Sequence, residues 1–411
     1  MKHWKLTLCA SVLALAAAPA VADCGIASGN VSILGNDFPA LQAVVAGAQT
    51  CAGGGVTVTA NLTRDHRDLQ VAALTANPAQ YSVAVVANGS IVPLINAGLL
   101  RPLDDLVEKH GADLQPSQLV RIGGQVMAVA FMANAQHLFY RADLLEAVGL
   151  STPTTHEEVL AAAAAIRDAG LMEHPVVLVS GAGWNLAQEF VNLYLGYGGS
   201  FFEAGSAAPA INNEAGIATL EMLKALTEFS NPDFLTFDSN SAQALWESGN
   251  AALAMMWGSR GGAILDDEGS TPEVVQATVL AGAPTVGGGG RPATTLWWDG
   301  FTIAANTSDA DAEASFVAMM RGISPEVVAA NAAAAVWLSP AYEPTPASAG
   351  VIASAQGGAA PYPMLPYMGL MHTALGDNLA AFLQGTASAA ETLETIEAAY
   401  ITAARAQGFL N

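Results

Sequence analysis

The chain has 411 residues, 52% of them hydrophobic and 12% charged, with a net charge of −22. That length exceeds what one core organises, so two domains are expected by the usual span of about 100 to 200 residues each. Four Lys and ten Arg cannot lay a basic stripe along phosphates, which excludes nucleic acid as a partner.

At the start, Lys2 and Lys5 precede an apolar run from Leu6 to Ala18 that is too short to span a bilayer, and Ala20-Val21-Ala22 supplies a small-x-small ending. This pattern reads as a signal peptide over residues 1–22, cleaved after Ala22. Asp23 stands directly before Cys24, where a lipoprotein signal would need a small residue. Export leaves Cys24 and Cys51 as the mature cysteines, an even pair in an oxidising compartment, and predicts one disulfide. Their wide spacing argues against a redox motif or a zinc site.

Short apolar strands then alternate with amphipathic or Ala-rich helices, beginning with Val31–Leu34, Phe38–Ala48 and Val56–Ala60. Helix Asp68–Ala76 leads to strand Ser82–Ala87, and Ile91–Ala97 leads to a Leu99–Leu106 segment. Thr154–Asp168 reads as a long helix with Thr155 as N-cap and Glu157 and Glu158 in its first turn, where carboxylates suit the positive dipole end. Strand Val176–Ser180 follows. The runs Gly287–Gly290 and Ala341–Gly350 are the clearest loops. The alternation predicts an α/β fold.

Enzymatic motifs fail. There is no Gly-x-Ser-x-Gly elbow, and His156-Glu157-Glu158-Val159-Leu160 lacks the second His of a zinc-binding helix face. Gly287–Gly290 is not followed by the Lys-Ser/Thr of a phosphate loop. Asp104-Asp105 and Asp266-Asp267-Glu268 read as solvated carboxylates rather than acid/base pairs. No catalytic residue, cofactor or metal is expected.

Four blocks carry a resemblance to a known family. Residues 123–150 hold Phe139-Tyr140-Arg141-Ala142-Asp143-Leu144-Leu145 at a fixed spacing from the Pro153-Thr154-Thr155 helix start. Leu245–Gly258, Gly300–Met320 and Gly376–Ala399, with its Leu383-Gln384-Gly385 turn, follow in order. Together they resemble the extracellular solute-binding proteins of ABC importers, in the sugar-binding, maltose-binding-protein-like group. The resemblance implies a periplasmic-binding-protein-like fold of two discontinuous α/β lobes joined by three crossings of the chain. Placing those crossings near 133–136, 298–302 and 339–347 gives an N-terminal lobe of 23–133 and 302–342. The C-terminal lobe is then 137–298 and 347–411. It further implies a periplasmic, monomeric receptor that closes on a carbohydrate, a mono- or oligosaccharide or polyol, and delivers it to a membrane permease.

Sugars call for aromatic faces against C–H surfaces and planar polar groups for hydroxyls. At the cleft positions that the resemblance implies, the chain offers Asn36 and Asp37 after the first strand, and Arg64 and Asp65 after the second. Asn88-Gly89-Ser90 follows the third strand, and Asn134 stands at the first crossing. On the other lobe stand Trp184 and Asn185, then Trp257 and Arg260, then Trp297, Trp298 and Asp299, and finally Tyr362 and Tyr367. Trp257 and Trp298 are the expected aromatic walls, with Arg260 and Asp299 as polar orienting groups. Arg260 stands near where maltose-type members carry an aromatic, a departure from a maltodextrin site. Two alternatives remain: the same fold binding an acidic solute through Arg260, and an exported glycoside-processing enzyme with two carboxylates across a cleft.

Overall fold

The computed structural model describes residues 24–411; the expected signal peptide and its cleavage site lie outside the described residues. Among the described residues there are twelve strands: β1 Gly29–Gly35, β2 Val56–Leu62, β3 Val83–Ala87, β4 Leu119–Ile122, β5 Gln125–Asn134, β6 Gln136–Arg141, β7 Val176–Leu178, β8 Leu253–Trp257, β9 Thr278–Ala281, β10 Thr295–Ile303, β11 Val336–Trp337 and β12 Ala360–Pro361. They form two sheets. The larger runs β11-β5-β10-β3-β1-β2, with β12 on β10 and β4 on β5, and the smaller runs β7-β8-β6-β9.

The central strands β3 and β5 of the larger sheet are buried on both faces, which explains their unbroken apolar runs. Val31 and Ile33 of β1 join one core with Leu41, Val44, Phe301 and Phe316, while Leu34 joins another with Leu74 and Leu94. All five residues of β3 are buried. β1 pairs in parallel with β2 and β3, and helices Pro39–Gln49 and His66–Thr75 make the crossovers. The smaller sheet packs its own core of Leu138, Leu178, Phe190 and Leu253 with helices Trp184–Gly196 and Met368–Leu383.

The chain passes between the sheets at identifiable points. A single residue, Ala135, separates β5 of the larger sheet from β6 of the smaller. β10 bridges both cores, since Trp297 packs in the smaller sheet's core and Phe301 and Ile303 in the larger's. After β11, helix Ala349–Gln356 packs on β6 and β9. The Ala341–Gly350 segment, expected to be a loop, therefore ends in the first turn of a helix.

The Cys24–Cys51 disulfide is formed, with Cα atoms 5.5 Å apart and a sequence separation of 27. Thr155 caps its helix as its sequence signature requires: its side chain accepts from the Glu158 backbone N–H and the Glu158 carboxylate reaches back to the cap. Among the described residues no helix is long and apolar enough to cross a membrane.

Candidate ligand-binding cleft

Three loops at the carboxyl ends of parallel strands open onto one space, the usual ligand position in an open α/β sheet. They contribute Asn36 and Asp37 after β1, Arg64, His66 and Arg67 after β2, and Ala87 at the end of β3. The facing wall comes from the smaller sheet: Trp184 and Asn185 open the helix after β7, Trp257 ends β8, and Ser259 and Arg260 follow it. Asp238, Ser239 and Asn240, at the start of helix Ser239–Glu247, complete that side. Trp297 and Asp299 of β10, with Asn134 of β5, form the floor where the chain crosses. The cavity measures about 280 Å³ and is open to solvent on one side.

Local backbone sets these directions. In a strand, residues two apart share a face, so Trp297 and Asp299 face the cleft while Trp298 turns to the opposite core, where it packs with Leu34 and Met127. A bulge falls between Asp299 and Gly300, and a Cβ at Gly300 would lie 2.6 Å from the Val129 carbonyl oxygen. Only glycine permits that approach of β10 to β5. On the other wall, Gly183 has a φ of +93°, a conformation glycine adopts readily, and this turn starts the helix at Trp184.

The aromatic groups converge. The Trp184 and Trp257 ring centroids are 6.3 Å apart at 24°, and Trp297 meets them edge-on at 5.6 and 6.0 Å. Beneath them Tyr362 packs on Trp297 at 4.2 Å. The Tyr362 hydroxyl donates to His372 Nδ1 over 2.9 Å, because His372 Nε2 donates to the Trp184 carbonyl over 3.0 Å. Burial lowers the His372 pKa to about 3, so this ring is neutral and that polarity is fixed.

The charged groups divide into paired and unpaired. Arg64 Nη1 meets Asp238 Oδ2 at 2.8 Å across the cleft. Asp238 also accepts from the backbone N–H groups of Asn240 and Ser241. Burial opposes its ionisation, but those Ser241 contacts and Arg64 prevail and hold its pKa below the usual range. Arg260 donates to Gln243 over 3.2 Å, and burial lowers its pKa. Desolvation raises Asp299 to about 7 against the pull of Arg67. His66 is lowered to about 4, by burial first and by Arg67 second.

Four expected positions do not border the cavity. Asn88 is 2% exposed and accepts from the Trp298 backbone N–H over 2.9 Å, so it braces β10. Trp298 is corrected with it, by the strand alternation just described. Asp65 is exposed at the N-terminal end of helix His66–Thr75. Tyr367 donates to the Ser206 carbonyl and packs on Phe202 and Phe409, in the smaller sheet's helical layer. Asn134 does border the cavity, but its amide bridges to Ser259 at 3.2 Å. Arg67, His66 and Asp238 were missing from the expected set, and Trp297, expected there beside Trp298, is the one of the two that borders the cavity. Alternation with Asp299 was the available signal for Trp297, and one helical turn from Arg64 was the signal for Arg67. Among the described residues no group of three or more His, Cys, Asp or Glu side chains is placed to hold a metal ion.

Residues 34–323 match the family described as bacterial extracellular solute-binding protein. The chain belongs to this family. Part of this solute-binding protein is also 26% identical over 191 residues to a probable ABC transporter-binding protein of Deinococcus radiodurans. That match spans 45% of this chain and 44% of the relative's length. Among solved structures, the fold is similar to maltose-bound MalE3 of T. maritima, with a TM-score of 0.80 and 19% identity over 92% of this chain and 100% of that one. It is similar to a solute-binding protein of Agrobacterium radiobacter K84 in complex with ribitol, with a TM-score of 0.79 and 20% identity over 91% and 98% of the two chains. A third likeness is to a protein of Agrobacterium vitis S4 with bound D-mannitol, with a TM-score of 0.77 and 19% identity over 93% and 99%. The architecture is accordingly the α/β, two-lobed fold of periplasmic binding proteins.

Proposed function

We propose that this protein is the exported receptor of an ABC importer, and that it binds one small neutral sugar or polyol and hands it to a membrane permease. The observation that carries the reading is the meeting of Trp184, Trp257 and Trp297 at a cavity whose remaining wall is guanidinium, carboxylate and amide. Aromatic surface beside hydrogen-bonding groups suits a ligand with C–H faces and a hydroxyl rim. The structural neighbours crystallised with maltose, ribitol and D-mannitol support the same class. A volume of about 280 Å³ sits at the small end of ligand pockets, commonly about 300 to 1,000 Å³, and favours a compact solute over a long oligosaccharide.

In this reading the lobes are 23–133 with 302–342, and 137–298 with 347–411, hinged near 133–136, 298–302 and 339–347. The leader is removed after Ala22, and the mature protein works as a monomer in the periplasm, as a receptor and not an enzyme. A thermal-shift panel of maltose, ribitol, mannitol and common hexoses tests it. A ligand at about 100 times its Kd stabilises by about 2.7 kcal/mol, which raises the melting temperature measurably. No rise with any sugar or polyol, at concentrations up to tens of millimolar, would refute the assignment.

A further inference from the structure

Among the ten arginines of this acidic chain, Arg67 has the least ordinary surroundings. It borders the cavity, yet its guanidinium makes no hydrogen bond and no close ion pair with any described residue, and its Nε is shut away from solvent without an acceptor. It forms a cation–π stack, with the guanidinium carbon 4.1 Å from the Trp184 ring centroid. The same indole also stacks on His372 at 4.9 Å, so much of its π surface is already engaged within the protein. An unpaired buried donor is destabilising, and more so when charged. Such a group persists where a ligand supplies the acceptor.

Asp299 also borders the cavity and is the acid whose charge acts most strongly on Arg67. It is not close enough to form an ion pair with it. A planar fork of donors and a carboxylate acceptor thus stand over one space without satisfying each other. We infer that Arg67 and Asp299 together read a vicinal diol of the ligand. The guanidinium donates to one hydroxyl oxygen, and the neighbouring hydroxyl donates to the carboxylate. Trp184 is then the platform that aims Arg67, leaving the face of Trp257 for the C–H surface. The pairing selects a neutral polyol or sugar over its carboxylated counterpart, since an ionised Asp299 repels an anion and offsets the attraction of Arg67. This rests on the sugar-or-polyol reading above.

The pH behaviour separates a diol reader from a merely structural pair. The charged or titratable groups acting on Asp299 and Arg67 are each other, Asp68, Tyr362, His66 and His372, and Asp37, Arg64, Asp238 and Arg260 stand round the same cavity. Burial keeps His66 and His372 neutral above about pH 5 and raises the Tyr362 pKa, while Asp299 sits near 7. A carboxylate accepts from a hydroxyl better than a carboxylic acid does, so binding should tighten as pH rises through about 7.

Isothermal calorimetry on the mature protein tests this, using ribitol, mannitol, a monodeoxy analogue of each, and gluconate. Expected are binding of a neutral polyol, a tenfold or greater penalty for the deoxy analogue, and weaker binding of gluconate. Arg67→Lys and Asp299→Asn should each lose at least tenfold for the polyol while erasing most of the deoxy penalty, and Asp299→Asn should flatten the pH profile. Melting curves establish that the variants are folded; Arg67→Gln substitutes if Arg67→Lys is not. Gluconate binding more tightly than mannitol would overturn the inference, as would an undiminished deoxy penalty in folded variants. Failure of every sugar and polyol to bind would instead remove the reading on which it rests.

Discussion

Trp257 and Trp298 make a matched pair for separating a binding role from a packing role. Both are partly exposed tryptophans near the crossings, but Trp257 borders the cavity and Trp298 packs in the core with Leu34, Leu74 and Met127. Trp257→Ala is expected to cost about 2 kcal/mol of binding, roughly thirtyfold in Kd, with a small change in melting temperature. Trp298→Ala is expected to cost about 3 kcal/mol of stability and leave the affinity of the folded protein unchanged. Trp297 lies between the two cases, because it is 5% exposed and donates to Thr295 over 2.8 Å while still forming the floor. Its replacement should lower both quantities. Calorimetric affinity and melting temperature measured on all three variants check the pattern; an affinity loss in Trp298→Ala larger than in Trp257→Ala would break it.

The elements meeting at the crossings are joined by a buried polar network. Gln136 of β6 donates to Glu189, Asn192 donates to Gln136, and Gln188 donates to both Asn192 and Thr295. Thr294 donates to the Gln136 carbonyl over 2.7 Å, so the start of β10 and the start of β6 are tied to helix Trp184–Gly196. Desolvation raises Glu189 to about 8. Because the folded pKa exceeds the unfolded value, the folded state binds the extra proton. Stability is therefore highest below about pH 4.5 for this group and falls as pH rises towards 8, by at most roughly 1.4 kcal/mol per unit. Glu189→Gln keeps the acceptor for Gln136 and removes the charge. It should melt above the wild type at about pH 8 and no higher at about pH 5; the reverse order would show that Glu189 is ionised and paired. Little of this network is visible in the sequence. The strands and the Thr155 cap follow from local patterns of apolar alternation and capping, whereas the crossing expected near 133–136 rests on the family resemblance. Trp298 was expected as a wall because it stands at a crossing of the chain, whereas alternation along the strand puts Trp297 and Asp299 on the cleft face. Tyr367 and Asp65 lie away from the cavity for another reason: a loop's neighbours depend on how distant helices dock, and nothing local encodes that.

At the scale of the whole molecule, what matters is that the two walls of the cleft already touch. Arg64, which follows β2 of the larger sheet, pairs with Asp238 at the start of helix Ser239–Glu247 beside the smaller sheet, 2.8 Å apart. The side chains are 64% and 38% exposed, so the pair is open to solvent and screening, and its net worth is about 0 to 1 kcal/mol. A contact made only when the walls meet shifts the open–closed balance by its own free energy and no more. Removing it should weaken ligand affinity by about fivefold or less. Asp238→Asn is the cleaner variant, since an Asn side chain still caps the helix that Asp238 caps, and Arg64→Gln is its counterpart. In the wild type, raising ionic strength should weaken binding of an uncharged ligand modestly, because salt screens the bridge rather than the ligand. Both variants should lose that dependence and bind alike at low and high salt. Solution scattering without ligand should show a larger radius of gyration for the variants than for the wild type. An affinity loss beyond about tenfold would place Arg64 or Asp238 on the ligand itself, and a salt dependence unchanged in the variants would show that the bridge plays no part in closure.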